Sequence, residues 1–138
     1  MSDPSLALLM DRFTRRVHLA LQAQAGDFDT YSVGPGGGML LMLLDEVGPV
    51  TMQDLAKQMV RDKSQMTRMI ASMDRKGLTT RSPGTQDSRQ IIVALTPEGA
   101  RFVQTLRMVV SDTIDSILAP LPAQDRTHLR KLLAQALL

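Results

Sequence analysis

Residues 50–99 read VTMQDLAKQMVRDKSQMTRMIASMDRKGLTTRSPGTQDSRQIIVALTPEG, and the period of the apolar positions changes twice within them. Thr51 opens a short helical pattern as an N-cap, with Asp54 placed for a reciprocal capping bond and Leu55, Ala56 and Met59 facing inward. A turn of two or three residues around Val60 and Arg61 follows. Asp62 then caps a second helix, with Gln65 three positions on, and Met66, Met69, Ile70 and Met73 form one apolar stripe. Gly77 supplies the left-handed residue that ends it. Short helix, tight turn and longer helix make a helix-turn-helix pattern. Leu78–Ser82 and Gln90–Thr96 then read as two strands around the turn-rich Pro83–Arg89, a hairpin with an exposed polar tip.

Longer helices flank this unit. Asp3-Pro4 is a helix start, and Leu6, Leu9, Met10, Phe13, Val17 and Leu21 keep helical spacing to about Ala25. The run Met39–Val47 predicts a helix apolar almost all round, preceded by Gly34 as a permissive cap, Pro35 at the first helical position and Gly36–Gly38 in the first turn. Thr96-Pro97-Glu98 starts another helix that reaches about Ala119, and Leu129, Leu132, Leu133, Ala136 and Leu137 mark a last one. The expected fold is mainly α with a small β-hairpin: a winged helix-turn-helix core over 34–99, with long terminal helices over 1–31 and 100–138.

The 138 residues, 43% hydrophobic and 22% charged, suit one globular domain. Without cysteine there are no disulfides, thiolate metal sites or thiol redox sensing. His18 and His128 are too far apart to suggest a metal site, so no metal and no cofactor is expected. The N-terminal segment lacks a basic start and a cleavage site, and no apolar run approaches the roughly 18 residues of a membrane span. The expected location is the cytoplasm, with no membrane partner.

Charge is distributed unevenly. Lys57 to Arg89 holds eight basic residues against three acidic ones, a net of +5, which leaves −3 for the remainder of a chain whose total is +2. A basic middle on a neutral scaffold fits a nucleic-acid surface, although a solvated charged face has the same composition. The apolar stripe of the second helix turns Lys63, Ser64, Gln65, Thr67, Arg68 and Ser72 outward, the residue types that read base edges and phosphates. Arg81 and Arg89 flank the hairpin loop, where an arginine meets phosphates or a narrow minor groove, and Ser88 sits beside Arg89. Asp87 disfavours DNA by its charge, so its expected role is to hold an arginine or the loop backbone.

The glycine run does not read as a nucleotide loop. No Lys-Ser/Thr follows Gly38, and neither a preceding strand nor an alternating β/α pattern surrounds it. An enzyme is not expected either, because no nucleophile–base pair, carboxylate pair or metal cluster stands out. Three Phe, one Tyr and no Trp argue against stacking-based single-strand or RNA recognition. The ten methionines read as adaptable core filler.

Residues 50–99 resemble the winged helix-turn-helix core of the MarR family of bacterial transcription regulators. The resemblance rests on Thr51 with Leu55-Ala56, Thr67-Arg68, Lys76-Gly77-Leu78 with Arg81, the wing's Asp87-x-Arg89, and Leu95-Thr96-Pro97-Glu98-Gly99. It implies a homodimer with interdigitating terminal helices, double-stranded DNA with a pseudo-palindromic operator as partner, and Arg89 reaching the minor groove. It also implies a repressor relieved by a small-molecule effector. The chain departs from the family at Gly37 and Gly38, where relatives carry a polar and a large residue. Those glycines either let a helix pack tightly or enlarge an effector pocket, with Arg15, Arg16, His18 and Tyr31 as nearby polar candidates. The competing reading is a winged helix used for protein contacts without DNA binding.

Overall fold

A computed structural model describes residues 3–138; Met1 and Ser2, the start of the expected N-terminal arm, lie outside the described residues. The elements in chain order are α1 (Pro4–Phe28), α2 (Gly34–Val47), β1 (Val50–Thr51), α3 (Met52–Met59), α4 (Lys63–Arg75), β2 (Thr79–Pro83), β3 (Ile91–Leu95), α5 (Pro97–Ile117) and α6 (Ala123–Ala136).

The Asp3 carboxylate caps α1 by accepting from the Ser5 amide at 2.9 Å. The helix runs through Gly26 to Phe28, past the expected end near Ala25, because nothing in Gly26-Asp27 removes a backbone donor. Asp29 ends it and starts the next helix. Its own N–H donates to the Ala25 carbonyl at 2.8 Å, while its carboxylate accepts from the Val33 and Gly34 amides at 2.9 and 3.0 Å. With the cap supplied from upstream, Val33 takes the N-cap position and Gly34 lies inside α2, one residue earlier than expected.

Leu40, Leu41 and Leu44 of α2 are fully buried and form the centre of the core with Leu55, Met66, Ile70, Leu78, Val93 and Val103. The helix is not buried all round, since Met39 is 48% exposed. The glycines divide by neighbour. A β-carbon on Gly37 would lie 3.0 Å from Val33 Cβ and 3.2 Å from Met73 Cε, so that face is closely packed against α4. One on Gly38 would meet only Leu106 Cδ1, at 3.9 Å.

The sheet has three antiparallel strands in the order β1-β3-β2 rather than a bare hairpin. Val50 pairs with Val93 and Thr51 with Ile92, while Thr79 to Pro83 pair with Leu95 to Ile91. A two-residue β1 has no periodicity to detect; its pairing partner lies more than forty residues away. The two hairpin strands match the expected ones to within a residue at each end.

α1 packs along α5, where the Gln24 amide donates to the buried Thr113 hydroxyl at 2.9 Å. No residue of α1 or α6 is buried in the single chain. Leu6, Leu8, Leu9, Met10 and Leu19 on α1 are exposed, as are Leu132 and Leu133 on α6 and the terminal Leu137 and Leu138. No helix among the described residues is long and apolar enough to cross a membrane.

Candidate nucleic-acid interface

Local capping places the outward face of α4. Asp62 Oδ1 accepts from the Gln65 amide at 2.7 Å, and Gln65 Oε1 accepts from the Asp62 amide at 3.3 Å, closing the expected capping box. Gln65 is therefore folded back on the helix start. Thr67 is exposed as expected, with its hydroxyl donating to the Lys63 carbonyl of the preceding turn at 2.8 Å. Lys63, Ser64 and Arg68 remain exposed, and none of them is in an ion pair among the described residues. Ser72, further along, is half-buried. For α3, the Thr51 hydroxyl accepts from the Asp54 amide at 3.1 Å. The return bond expected from Asp54 is not formed.

The turn between the helices carries a departure from ordinary backbone. Val60 lies in the left-handed region (φ 52, ψ 49) with its side chain 89% exposed. A β-branched residue rarely adopts this conformation, and a glycine here would have marked the turn in the sequence.

The wing holds its arginines in two different ways. Arg81 donates through Nε to Asp74 Oδ2 at 2.5 Å, and the buried Thr79 donates its hydroxyl to the other oxygen of Asp74. Asp74 at the end of α4 thus clamps the root of the wing, and Arg81 is partly neutralised. Arg89 stands at the tip with its side chain 91% exposed. The Asp87 carboxylate accepts from the Arg89 backbone N–H at 3.0 Å and from its Nε at 3.2 Å, orienting both the loop and the guanidinium. The Arg89 side chain, and then its backbone N–H, hold the Asp87 carboxyl below the ordinary carboxylate range. Ser88 is exposed between the two.

Between α3, the start of α4 and the wing lies a groove of about 750 Å³. Its wall includes the cations Lys57, Arg61, Lys63 and Arg89 and no carboxylate. Lys57 and Arg61 had no individual signal in the sequence beyond their share of the basic segment. They join Lys63 and Arg89 only because the fold brings α3 against β3. Four cations around one concavity produce a focused positive potential suited to a polyanion.

Of the residues singled out for an effector, His18 and Gly38 line a second cavity, of about 220 Å³, between α1, α2 and α5. Arg15 is paired instead with Asp11 at 2.9 Å, with both side chains 63% exposed. Arg16 is exposed on the same helix, and Gly37 is closed off by Met73. Tyr31 donates its hydroxyl to Glu98 and packs edge-on against Phe102, with ring centroids 4.8 Å apart. Among the described residues no group of His, Asp and Glu could hold a metal ion.

A family model described as the MarR family matches residues 38–91, from the last glycine of the α2 run to the start of β3. The chain is 28% identical over 96 residues to the HTH-type transcriptional regulator FarR of Neisseria gonorrhoeae, covering 70% of this chain and 66% of that protein. It is 35% identical over 91 residues to an HTH-type transcriptional regulator of Mycobacterium bovis, covering 65% and 63%. The matched part thus spans less than two thirds of either relative. Among solved structures, a mutant MarR from E. coli superposes with a TM-score of 0.83 at 23% identity, covering 96% of both chains. The same mutant complexed with operator DNA gives 0.75, over 97% of this chain and 94% of that one. These superpositions establish the winged helix fold over nearly the whole chain, and the matched residues carry its helix-turn-helix. Over residues 38–91 the chain is similar to the MarR family of winged helix-turn-helix transcription regulators, and its fold is theirs.

Proposed function

We propose that this protein is a cytoplasmic regulator that binds double-stranded DNA as a homodimer, on a pseudo-palindromic operator, and represses until a small molecule relieves it. The observation that carries the DNA-binding reading is the groove lined by Lys57, Arg61, Lys63 and Arg89 with no carboxylate in its wall, beside the exposed Ser64 and Arg68 of α4. In this reading α4 enters the major groove. Arg68 reads base edges, Thr67 and Gln65 contribute after releasing their intrahelical bonds, and Arg89 reaches the flanking minor groove with Asp87 and Ser88 shaping the loop. Arg81, paired with Asp74, acts on the wing's position more than on DNA.

Dimerisation is supported by α1 and α6, which bury no residue in the single chain and leave a series of leucines exposed. A two-fold dimer of this kind sets its recognition helices about 34 Å apart, one turn of DNA. The mutant MarR seen with operator DNA shares the fold and supports the same placement. Relief by a ligand is supported by the cavity between α1, α2 and α5.

The test is fluorescence anisotropy on duplex DNA from upstream of the protein's own gene, against scrambled competitor, at two salt concentrations. Expected is binding that survives competitor, weakens with salt, and is lost in Arg68→Ala and Arg89→Ala. Sedimentation of the free protein checks the dimer. Failure to enrich any duplex from a random pool would sink the reading and leave a module for protein contacts.

A further inference from the structure

We propose that Gly36 is a positioning residue that seats the Arg61 guanidinium as a fixed anchor for a phosphate group, one on the DNA backbone in the reading above. The inference rests on that DNA-binding reading and gives the first glycine of the Gly36–Gly38 run a task of its own.

The backbone does not call for glycine at this position. Gly36 is the third residue of α2, and it is not among the glycines with positive φ, which are Gly34, Gly48 and Gly77. In an ordinary helical conformation glycine costs stability relative to alanine. What lies over the residue supplies the reason for it. A β-carbon there would lie 3.1 Å from Met69 Cε, 3.5 Å from Arg61 Nη2 and 4.0 Å from Arg61 Cζ. The guanidinium thus rests against the bare backbone of the first turn of α2, in space that any side chain longer than alanine's would take.

Arg61 reaches this seat from the turn between α3 and α4. The left-handed backbone of Val60 brings the Arg61 N–H back to the Ala56 carbonyl at 3.2 Å, and Asp62 then caps α4. From that turn the side chain crosses to α2. Arg61 is exposed and forms no ion pair among the described residues. The carboxylates at the two ends of the crossing are engaged elsewhere. Asp62 accepts from the Gln65 amide, and Asp29 accepts from the Val33 and Gly34 amides at the start of α2. The charge left free is the guanidinium's.

Lys57, Lys63 and Arg89 share the groove wall with Arg61. The two lysines are point charges on flexible stems, and Arg89 is already held by Asp87. Arg61 presents a planar fork that matches two phosphate oxygens. Resting on α2, it has given up part of its rotamer freedom, so less entropy is lost when a phosphate arrives. Such a contact carries no base information. It sets how α4 sits in the major groove rather than which bases it reads.

The test measures binding of a random-sequence duplex over a range of salt by fluorescence anisotropy, because a phosphate contact needs no operator. Arg61→Ala is expected to weaken binding about tenfold and to lower the salt slope by about 0.9 for each protomer bound. Gly36→Leu, and separately Gly36→Gln, should reproduce both effects, and adding either to Arg61→Ala should change neither further. Gly36→Ala should fall between wild type and Gly36→Leu. Circular dichroism and urea unfolding check that each variant is folded, and if one of the two larger side chains unfolds the protein the other decides. A purely structural role for Gly36 would weaken binding equally with and without Arg61, or weaken it with the slope unmoved. Either result overturns the inference, as does a wild-type slope in Arg61→Ala. Side-chain NMR of labelled arginine in the free protein separates the two readings. An Arg61 Nε–H signal shifted by inorganic pyrophosphate in wild type but not in Gly36→Leu, without binding of any duplex, upholds the anchor and overturns the DNA reading. Duplex binding with the Arg61 signal unmoved by either duplex or pyrophosphate overturns the anchor alone.

Discussion

A β-carbon on Gly99 would lie 2.1 Å from the carbonyl oxygen of Leu78, so the first turn of α5 is laid directly on the backbone at the root of the wing. The same carbonyl accepts from the Thr96 amide at 3.0 Å, and the Thr96 hydroxyl donates to the Gly77 carbonyl at 2.7 Å. The start of α5 is thereby tied to the end of α4. Because the opposing atom is backbone, it cannot swing aside. Gly99→Ala is expected to destabilise the fold by about 3 kcal/mol, at the upper end of overpacking costs. A urea midpoint unchanged from wild type would refute the tie.

Val60 makes the opposite case. Its left-handed backbone costs about 1–2 kcal/mol for a residue with a β-carbon. Its exposed side chain returns little, and glycine gives back roughly 0.5–1 kcal/mol through the freer unfolded chain. Val60→Gly should therefore stabilise the protein by up to about 1 kcal/mol, read as a rise in thermal midpoint. A fall would show that Val60 makes contacts that matter.

Asp87 and Arg89 test orientation against charge. Removing a carboxylate beside DNA should tighten binding by electrostatics alone. If Asp87 orders the wing, Asp87→Ala should instead weaken binding roughly three- to tenfold, about 1 kcal/mol of lost preorganisation. Anisotropy on one duplex decides the sign.

The same pair predicts a pH response. The Asp87 carboxyl titrates below its ordinary range in the folded protein, so its contribution is present above that range and is lost as pH falls through the depressed value. Carboxyl NMR should show Asp87 returning toward the ordinary range in Arg89→Ala, whose guanidinium is the larger cause.

Tyr31 is the single tyrosine, so its titration can be followed by absorbance without interference. Its hydrogen bond to Glu98, then desolvation and the Glu98 charge, raise the phenol above its ordinary value. Glu98 is lowered in return, first by Tyr31 and then by Arg101. The neutral phenol stabilises the fold below its ordinary range, and that contribution fades as pH rises through the raised value. The Glu98 contribution fades at the other end, as pH falls through its depressed value. Glu98→Gln should bring the Tyr31 midpoint down toward an ordinary phenol; an unmoved midpoint would contradict the bond.

The sequence by itself determined several features governed by neighbours along the chain. The Asp62–Gln65 capping box, the stop at Gly77, the Thr96 cap and the Asp87–Arg89 pairing each span at most three residues, and each forms where its spacing predicts. Amphipathic period located α3, α4 and α5 for the same reason, since one turn of helix is a local distance. Tertiary structure decided what depends on residues far apart in the chain. It paired β1 with β3, drew Arg81 onto Asp74, gathered Lys57 and Arg61 with Arg89 around one groove, and set His18 beside Gly38 while leaving Arg15 outside. These outcomes follow from how helices and strands pack against one core, and no spacing along the chain encodes that distance directly.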